Sequence, residues 1–168
     1  MRTATLESLR ALVHSKTQRS SLPFSYLPTG IPKGAIAEIS GHGKSEFVLK
    51  FIAENKLKVA WIESDFSIFP FAFLQRNVAL DKVLFVESAN QTYWGVLQVL
   101  KAQIFPVVVV VGDMDLRQLR CVQLASEKAD ACVLWLTEQT HSYWPVSLKV
   151  RVQRHPHGIE GQVLRQRF

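Results

Sequence analysis

One segment has residue types and spacing suited to anion chemistry: Ile36-Ala37-Glu38-Ile39-Ser40-Gly41-His42-Gly43-Lys44-Ser45. A short apolar run enters a glycine turn, and Lys44-Ser45 opens a helical pattern. Backbone amides at a helix N-terminus, a lysine charge and a hydroxyl for magnesium are what a phosphate-binding loop requires. The full loop has four residues between its glycines, whereas only His42 separates Gly41 from Gly43; four minus one leaves it three residues short. Such a loop cannot wrap a β-phosphate in a complete nest of amides. Glu46 adds a carboxylate where a phosphate would approach, and the same carboxylate suits the helix dipole when no anion is bound. Gly41, His42, Gly43, Lys44 and Ser45 form the candidate nucleotide- or anion-binding set. The competing reading is a tight strand-to-helix turn that retains the residues but not the binding. No resident cofactor is expected; ATP with magnesium is the ligand this loop chemistry would take, and hydrolysis would need the full loop and a placed base besides.

A second candidate lies near the C-terminus. Lys149, Arg151, Arg154, Arg165 and Arg167 gather there, with His155 and His157 nearby. They suit contacts to nucleic-acid phosphates, with Tyr143 and Trp144 available to stack on a base. A solvated edge strand that uses charge to resist aggregation is the competing reading, and an acidic protein partner is a third. The five histidines and two cysteines show no metal-ligand spacing, so no metal site is expected. Cys121 and Cys132 sit in apolar patterns and read as buried thiols of a reducing compartment. Phe66, Phe69, Phe71 and Phe73 crowd around Pro70 and read as core, with an exposed protein-binding patch as the alternative.

The elements that must position these groups follow from periodicity. Apolar runs over 35–40, 58–63, 82–87, 106–112 and 131–137 predict strands, and several are continuous rather than alternating. Continuous runs belong to strands buried on both faces of a parallel sheet covered by helices. Segments 45–55, 70–77, 90–103 and 116–128 predict the helices. In 147–154, Leu148, Val150 and Val152 alternate with Lys149, Arg151 and Gln153; after His155-Pro156-His157-Gly158, residues 160–167 return as its partner. The expected fold class is α/β, a mostly parallel sheet flanked by helices with a C-terminal antiparallel hairpin. Residues 5–16 place Leu6, Leu9, Leu12 and Val13 on one stripe of an amphipathic helix with Thr5 as cap, and 17–32, rich in Ser, Pro and Gly, reads as a linker. The division expected is 1–30 as helix and linker, and 31–168 as one core domain.

Composition bounds the rest. The chain has 168 residues with a formal net charge of +6, 48% hydrophobic and 20% charged, which excludes a disordered chain and fits a single domain. No apolar run is long enough to span a bilayer, and Glu7 falls where a signal peptide needs an apolar core, so a cytoplasmic location without membrane insertion is expected.

The segment Gly30-Ile31-Pro32-Lys33-Gly34-Ala35-Ile36-Ala37-Glu38-Ile39-Ser40-Gly41 resembles the lead-in to the phosphate loop of RecA-type recombinases, Gly-Leu-Pro-x-Gly-x-Ile-x-Glu-Ile-x-Gly. Val59-Ala60-Trp61-Ile62-Glu63-Ser64-Asp65 is similar to that family's second core strand, which ends in the catalytic base. Residues 105–113 take the place of its magnesium-binding strand, and Leu134-Trp135-Leu136-Thr137-Glu138-Gln139 that of the strand ending in a nucleotide-sensing Gln. The resemblance covers 28–154 and implies a RecA-like phosphate-loop core. Glu63 or Asp65 would stand for the base, and Asp113, one step beyond Gly112, for the magnesium ligand. With its loop shortened, the set reads as vestigial rather than catalytic.

Only about seven residues separate Gln139 from the final strand, where the family carries a DNA-binding loop, and the family's C-terminal domain is not expected in a chain this short. The chain therefore looks like the degenerate ImuA and SulA group, nearer to ImuA in the order of elements over 82–136. ImuA-type resemblance implies a non-catalytic accessory of the DNA-damage response and translesion mutagenesis. Its partners would be polymerase-like mutasome components or a RecA-type recombinase, with DNA contact in addition. SulA-type resemblance implies instead binding to the tubulin-like division protein, and an ATP-binding recombinase-like protein is the third reading. Recombinases of this family pass an N-terminal helix to the neighbouring subunit, so 5–16 is the segment expected to mediate association.

Overall fold

The computed structural model describes Glu7, which is helical and exposed, and residues 20–167. Apart from Glu7, the helix expected over 5–16 lies outside the described residues. Besides Glu7 and a short 3-10 helix at Leu80–Lys82, nine strands and four α-helices are described: β1 Ser21–Phe24, β2 Leu27–Pro32, β3 Ala35–Ser40, α1 Lys44–Asn55, β4 Val59–Glu63, α2 Phe71–Leu74, β5 Val83–Glu87, α3 Thr92–Ala102, β6 Val107–Val111, α4 Leu116–Ala129, β7 Cys132–Thr137, β8 Val146–His155 and β9 Gly158–Gln166. Seven strands form one sheet in the order β5-β4-β6-β7-β3-β8-β9. All neighbours are parallel except β8 and β9, which form the expected antiparallel hairpin at one edge.

The continuous apolar runs behave as their composition demands. Val107 to Val110 of β6 and all of β7 are buried, because α1 and the β1–β2 hairpin cover one face of the sheet while α3 and α4 cover the other. Ala37, Ile39, Trp61, Val109 and Leu134 point into the first layer; Ile36, Ile62, Val108, Val110 and Trp135 point into the second. Helix α4 starts with a reciprocal cap: the Gln118 amide donates to Asp115 Oδ1 at 2.7 Å and the Asp115 amide donates to Gln118 Oε1 at 3.1 Å.

Four expectations are corrected. Residues 21–32, read as linker, are the antiparallel β1–β2 hairpin, and the boundary drawn at residue 30 falls within β2. Serine, proline and glycine mark its turns, but Leu22, Phe24, Leu27 and Ile31 are buried, with Phe24 edge-on to Phe47 at 4.8 Å and to Phe51 at 5.4 Å. Polar ties fasten the hairpin to α1: Ser25 donates to Glu54, Lys50 to Tyr26, and Asn55 to the Pro23 carbonyl. The helix expected over 70–77 shrinks to α2, and of the four phenylalanines around Pro70 that read as core only Phe73 is buried; Phe66, Phe69 and Phe71 are exposed. Cys132 is buried, and burial pushes its thiol pKa up, whereas Cys121 is only half-buried; both are free thiols.

Candidate functional site

The parallel strands bring the loops after β3, β4, β6 and β7 to one end of the sheet. The Gly41–Ser45 turn is at that end, between β3 and α1. Gly41 and Gly43 take φ of 92° and 96°, and Gly43 is the helix N-cap without a side-chain cap bond. Left-handed backbone at both positions is what makes so short a turn feasible for glycine. The turn opens on a cleft of about 460 Å³, lined by all five loop residues and by Glu46, Arg76, Glu138 and Arg154 among others.

The cations of this cleft are paired. Lys44 Nζ donates to the Thr137 carbonyl at 3.2 Å and to the Glu138 carboxylate. That bond, with the Lys44 charge, holds the Glu138 carboxyl below its ordinary pKa. Glu46 Oε2 accepts from Arg154 at 3.2 Å and lies 3.3 Å from an Arg76 guanidinium nitrogen. Glu138 rather than Gln139 lines the cleft, and Gln139 is exposed. Glu46 was legible in the sequence as a charge beside the loop; its two arginine partners, from distant elements, were not.

The acidic candidates occupy the same end of the sheet without entering the cleft. Glu63 is buried at the end of β4: Oε1 accepts from Trp61 Nε1 at 2.5 Å, and Oε2 from the Ser67 amide at 2.6 Å and hydroxyl at 2.9 Å. Oε2 thus organises the following loop, while Oε1 is held by β4 itself. Asp65 and Asp113 are exposed, and neither lines the cleft. Trp135 Nε1 donates to the Gly112 carbonyl at 2.7 Å, tying the end of β6 to β7.

The basic candidates separate. Lys149, assigned to a surface patch, is buried in β8 beside Glu38 of β3, its Nζ 3.7 Å from Glu38 Oε2 and donating to the His141 carbonyl. Burial pushes its pKa below the ordinary lysine value, opposed by the Glu38 charge. Arg154 turns to the α1 side and joins the cleft. Arg165 is half-buried, donating to the Tyr143 carbonyl at 3.4 Å; Arg151 and Arg167 are exposed. Alternation in a strand sends neighbours to opposite faces, and the shift of register between Lys149 and Val150 re-sorts them again.

A network that sequence reasoning missed centres on Glu38. Its Oε1 accepts from the His141 amide at 2.8 Å, lies 2.7 Å from His141 Nδ1, and accepts from Thr137 Oγ1 at 3.3 Å. The His141 ring stacks against both Trp135, at 4.9 Å, and Tyr143, at 5.2 Å, and those two rings lie 6.3 Å from each other. Tyr143, expected to be available for a base, is therefore engaged in the protein, whereas Trp144 is exposed with the Arg120 guanidinium 5.1 Å from its ring centroid. The only signal was a glutamate in an otherwise apolar strand, whose partners lie about a hundred residues away.

A parallel sheet in this order, a glycine turn opening a helix at its C-terminal end and an antiparallel edge hairpin together define a RecA-like fold. Among solved structures, the chain is similar to the crystal structure of the RadB recombinase, with a TM-score of 0.68, 17% identity and 86% of each chain covered. No protein-family model and no curated protein matches it. Among the described residues, no helix is long and apolar enough to cross a membrane.

Proposed function

We propose that this chain is a non-catalytic, RecA-like accessory protein of the DNA-damage response and translesion mutagenesis, similar to ImuA, which works by binding protein partners. The observation that carries the non-catalytic part is that neither candidate for the base serves the cleft: both carboxylate oxygens of Glu63 are engaged by Trp61 and Ser67, and Asp65 is exposed and does not line it. A base must reach its proton within hydrogen-bonding distance, and a buried carboxylate held by Trp61 and Ser67 away from the cleft does not. The shortened loop supports the same reading.

The partner-binding part is supported by the exposed side chains of Phe66, Phe69, Phe71 and Leu74; Phe69 and Phe71 lie ring to ring at 5.2 Å, and Phe66 is 6.2 Å from Phe85 of the outer strand β5. Exposed apolar side chains gathered in one short segment support a protein-binding surface. The N-terminal segment 5–16 is a second contact in this proposal. Contact with single-stranded DNA would run through Arg151, Arg167 and Trp144; it would weaken steeply with salt, and an absence of binding at about 50 mM salt removes it.

The test is a pull-down from DNA-damaged cells with the intact chain and with a Phe69→Ser/Phe71→Ser variant. Recovery of a polymerase-like or recombinase partner by the intact chain alone is expected. Recovery of the tubulin-like division protein, with filamentous cells on overproduction, would replace this reading with the SulA-type one. Phosphate release from ATP, with and without single-stranded DNA, is expected to equal that of a Lys44→Ala control.

A further inference from the structure

The cleft at the Gly41–Ser45 turn has room, at about 460 Å³, for a polyphosphate, so size does not close it. Its charges do. Three cations face the N-terminus of α1, a twelve-residue helix, and two carboxylates of the same chain engage all three. Lys44, with 16% of its side chain exposed, is held between the Thr137 carbonyl and Glu138. A single oxygen of Glu46 lies between Arg76 and Arg154, as an oxygen of a bound phosphate would.

We propose that Glu46 and Glu138 are built-in ligands: the chain fills its own anion cradle with two of its carboxylates, so that polyphosphate is excluded, and neutralising them opens the cleft to it. The inference rests on the non-catalytic reading and adds its electrostatic cause. A phosphate entering the wild-type cleft would have to displace both carboxylates while feeling their repulsion at close range. With Gln at both positions the hydrogen-bonding shape is kept, and Lys44, Arg76 and Arg154 face the helix N-terminus with their charges uncompensated. The two acids differ in kind. Glu46 is largely buried beneath its arginines, whereas Glu138 is 90% exposed and closes the cleft from its rim.

The experiment titrates the full chain with inorganic tripolyphosphate by calorimetry at about 50 mM salt, where screening is weak. The wild type is compared with Glu46→Gln, Glu138→Gln and the double variant. No heat is expected from the wild type at about 1 mM ligand, and a gain of about tenfold or more from the double variant, abolished by adding Lys44→Ala. Because Glu138 is exposed, Glu138→Gln leaves the fold intact and gains about threefold by itself, so the test does not depend on the double variant folding. A folded Glu138→Gln chain that binds no tighter than wild type overturns the inference, as does wild-type binding within about twofold of the double variant. Phosphate release from ATP is followed on the same samples. Release by the wild type would overturn the non-catalytic reading, whereas binding without release and without a gain in the variants would overturn only the built-in ligands.

Discussion

A β-carbon at Gly41 would stand 2.3 Å from the Val152 carbonyl oxygen, on a backbone already at φ 92°. Gly41→Ala meets both penalties and is expected to cost about 2–4 kcal/mol in urea unfolding, whatever the loop binds. A loss under about 0.5 kcal/mol would show the turn to be a loosely held surface loop. Lys149 makes a comparable case for a charge. Lys149→Met leaves Glu38 with only its His141 and Thr137 partners, and an expected loss of about 2–4 kcal/mol contrasts with a change within about 0.5 kcal/mol for Arg151→Met on the exposed surface. Equal effects would return Lys149 to the surface patch. The Glu138 carboxyl titrates below its ordinary value of 4.5 because Lys44 donates to the ionised form. The stabilisation from that pair is therefore complete above the ordinary value and is lost as pH falls through the lowered midpoint. On so exposed a side chain it amounts to under about 1 kcal/mol. The check is a carboxyl titration by nuclear magnetic resonance, in which the Glu138 midpoint rises when Lys44 is replaced by Ala.

At the scale of elements, the β1–β2 hairpin is part of the core. Phe24→Ala removes a ring packed between Phe47 and Phe51, and a loss of about 3–4 kcal/mol is expected from thermal unfolding. A residue of a flexible linker would cost almost nothing. The hairpin also shows how far local pattern reaches. In β1 the burial alternates, with Leu22 and Phe24 inward and Ser21 and Pro23 outward, but over four residues that signal is weaker than the surrounding Ser, Pro and Gly. The longer strands were legible because burial on both faces demands unbroken apolar runs, and the C-terminal hairpin because its Leu148, Val150 and Val152 alternate with polar residues. The β8–β9 register shift had no such signal, and it decides which basic residues share a face.

For the whole molecule, the C-terminal positive charge divides: Arg154 serves the cleft, whereas Lys149 lies directly across from Arg165, and burial lowers its pKa, with the Arg165 and Arg167 charges adding to that lowering. Association is expected to depend on the exposed apolar side chains. Phe69→Ser/Phe71→Ser should leave thermal stability nearly unchanged, because both rings are exposed, while abolishing partner recovery. Removal of residues 1–19 should likewise abolish association yet keep the core folded. Ser20 must stay, since its carbonyl accepts from the Lys33 amide at 2.9 Å. Circular dichroism and the pull-down read the two halves of each prediction.

The sequence by itself determined the fold class, the strand-to-helix glycine turn and the shortness of the loop, because chain-local periodicity and spacing carry those properties. Tertiary structure alone decided what the charged residues do. Glu46 meets Arg76 and Arg154, Lys44 meets Glu138, and Glu38 meets Lys149 and His141 only after the sheet has closed, across separations of up to 111 residues (149 − 38) or 108 (154 − 46). Charge pairing depends on distance in space and on burial, and neither is written into the spacing of residues along the chain.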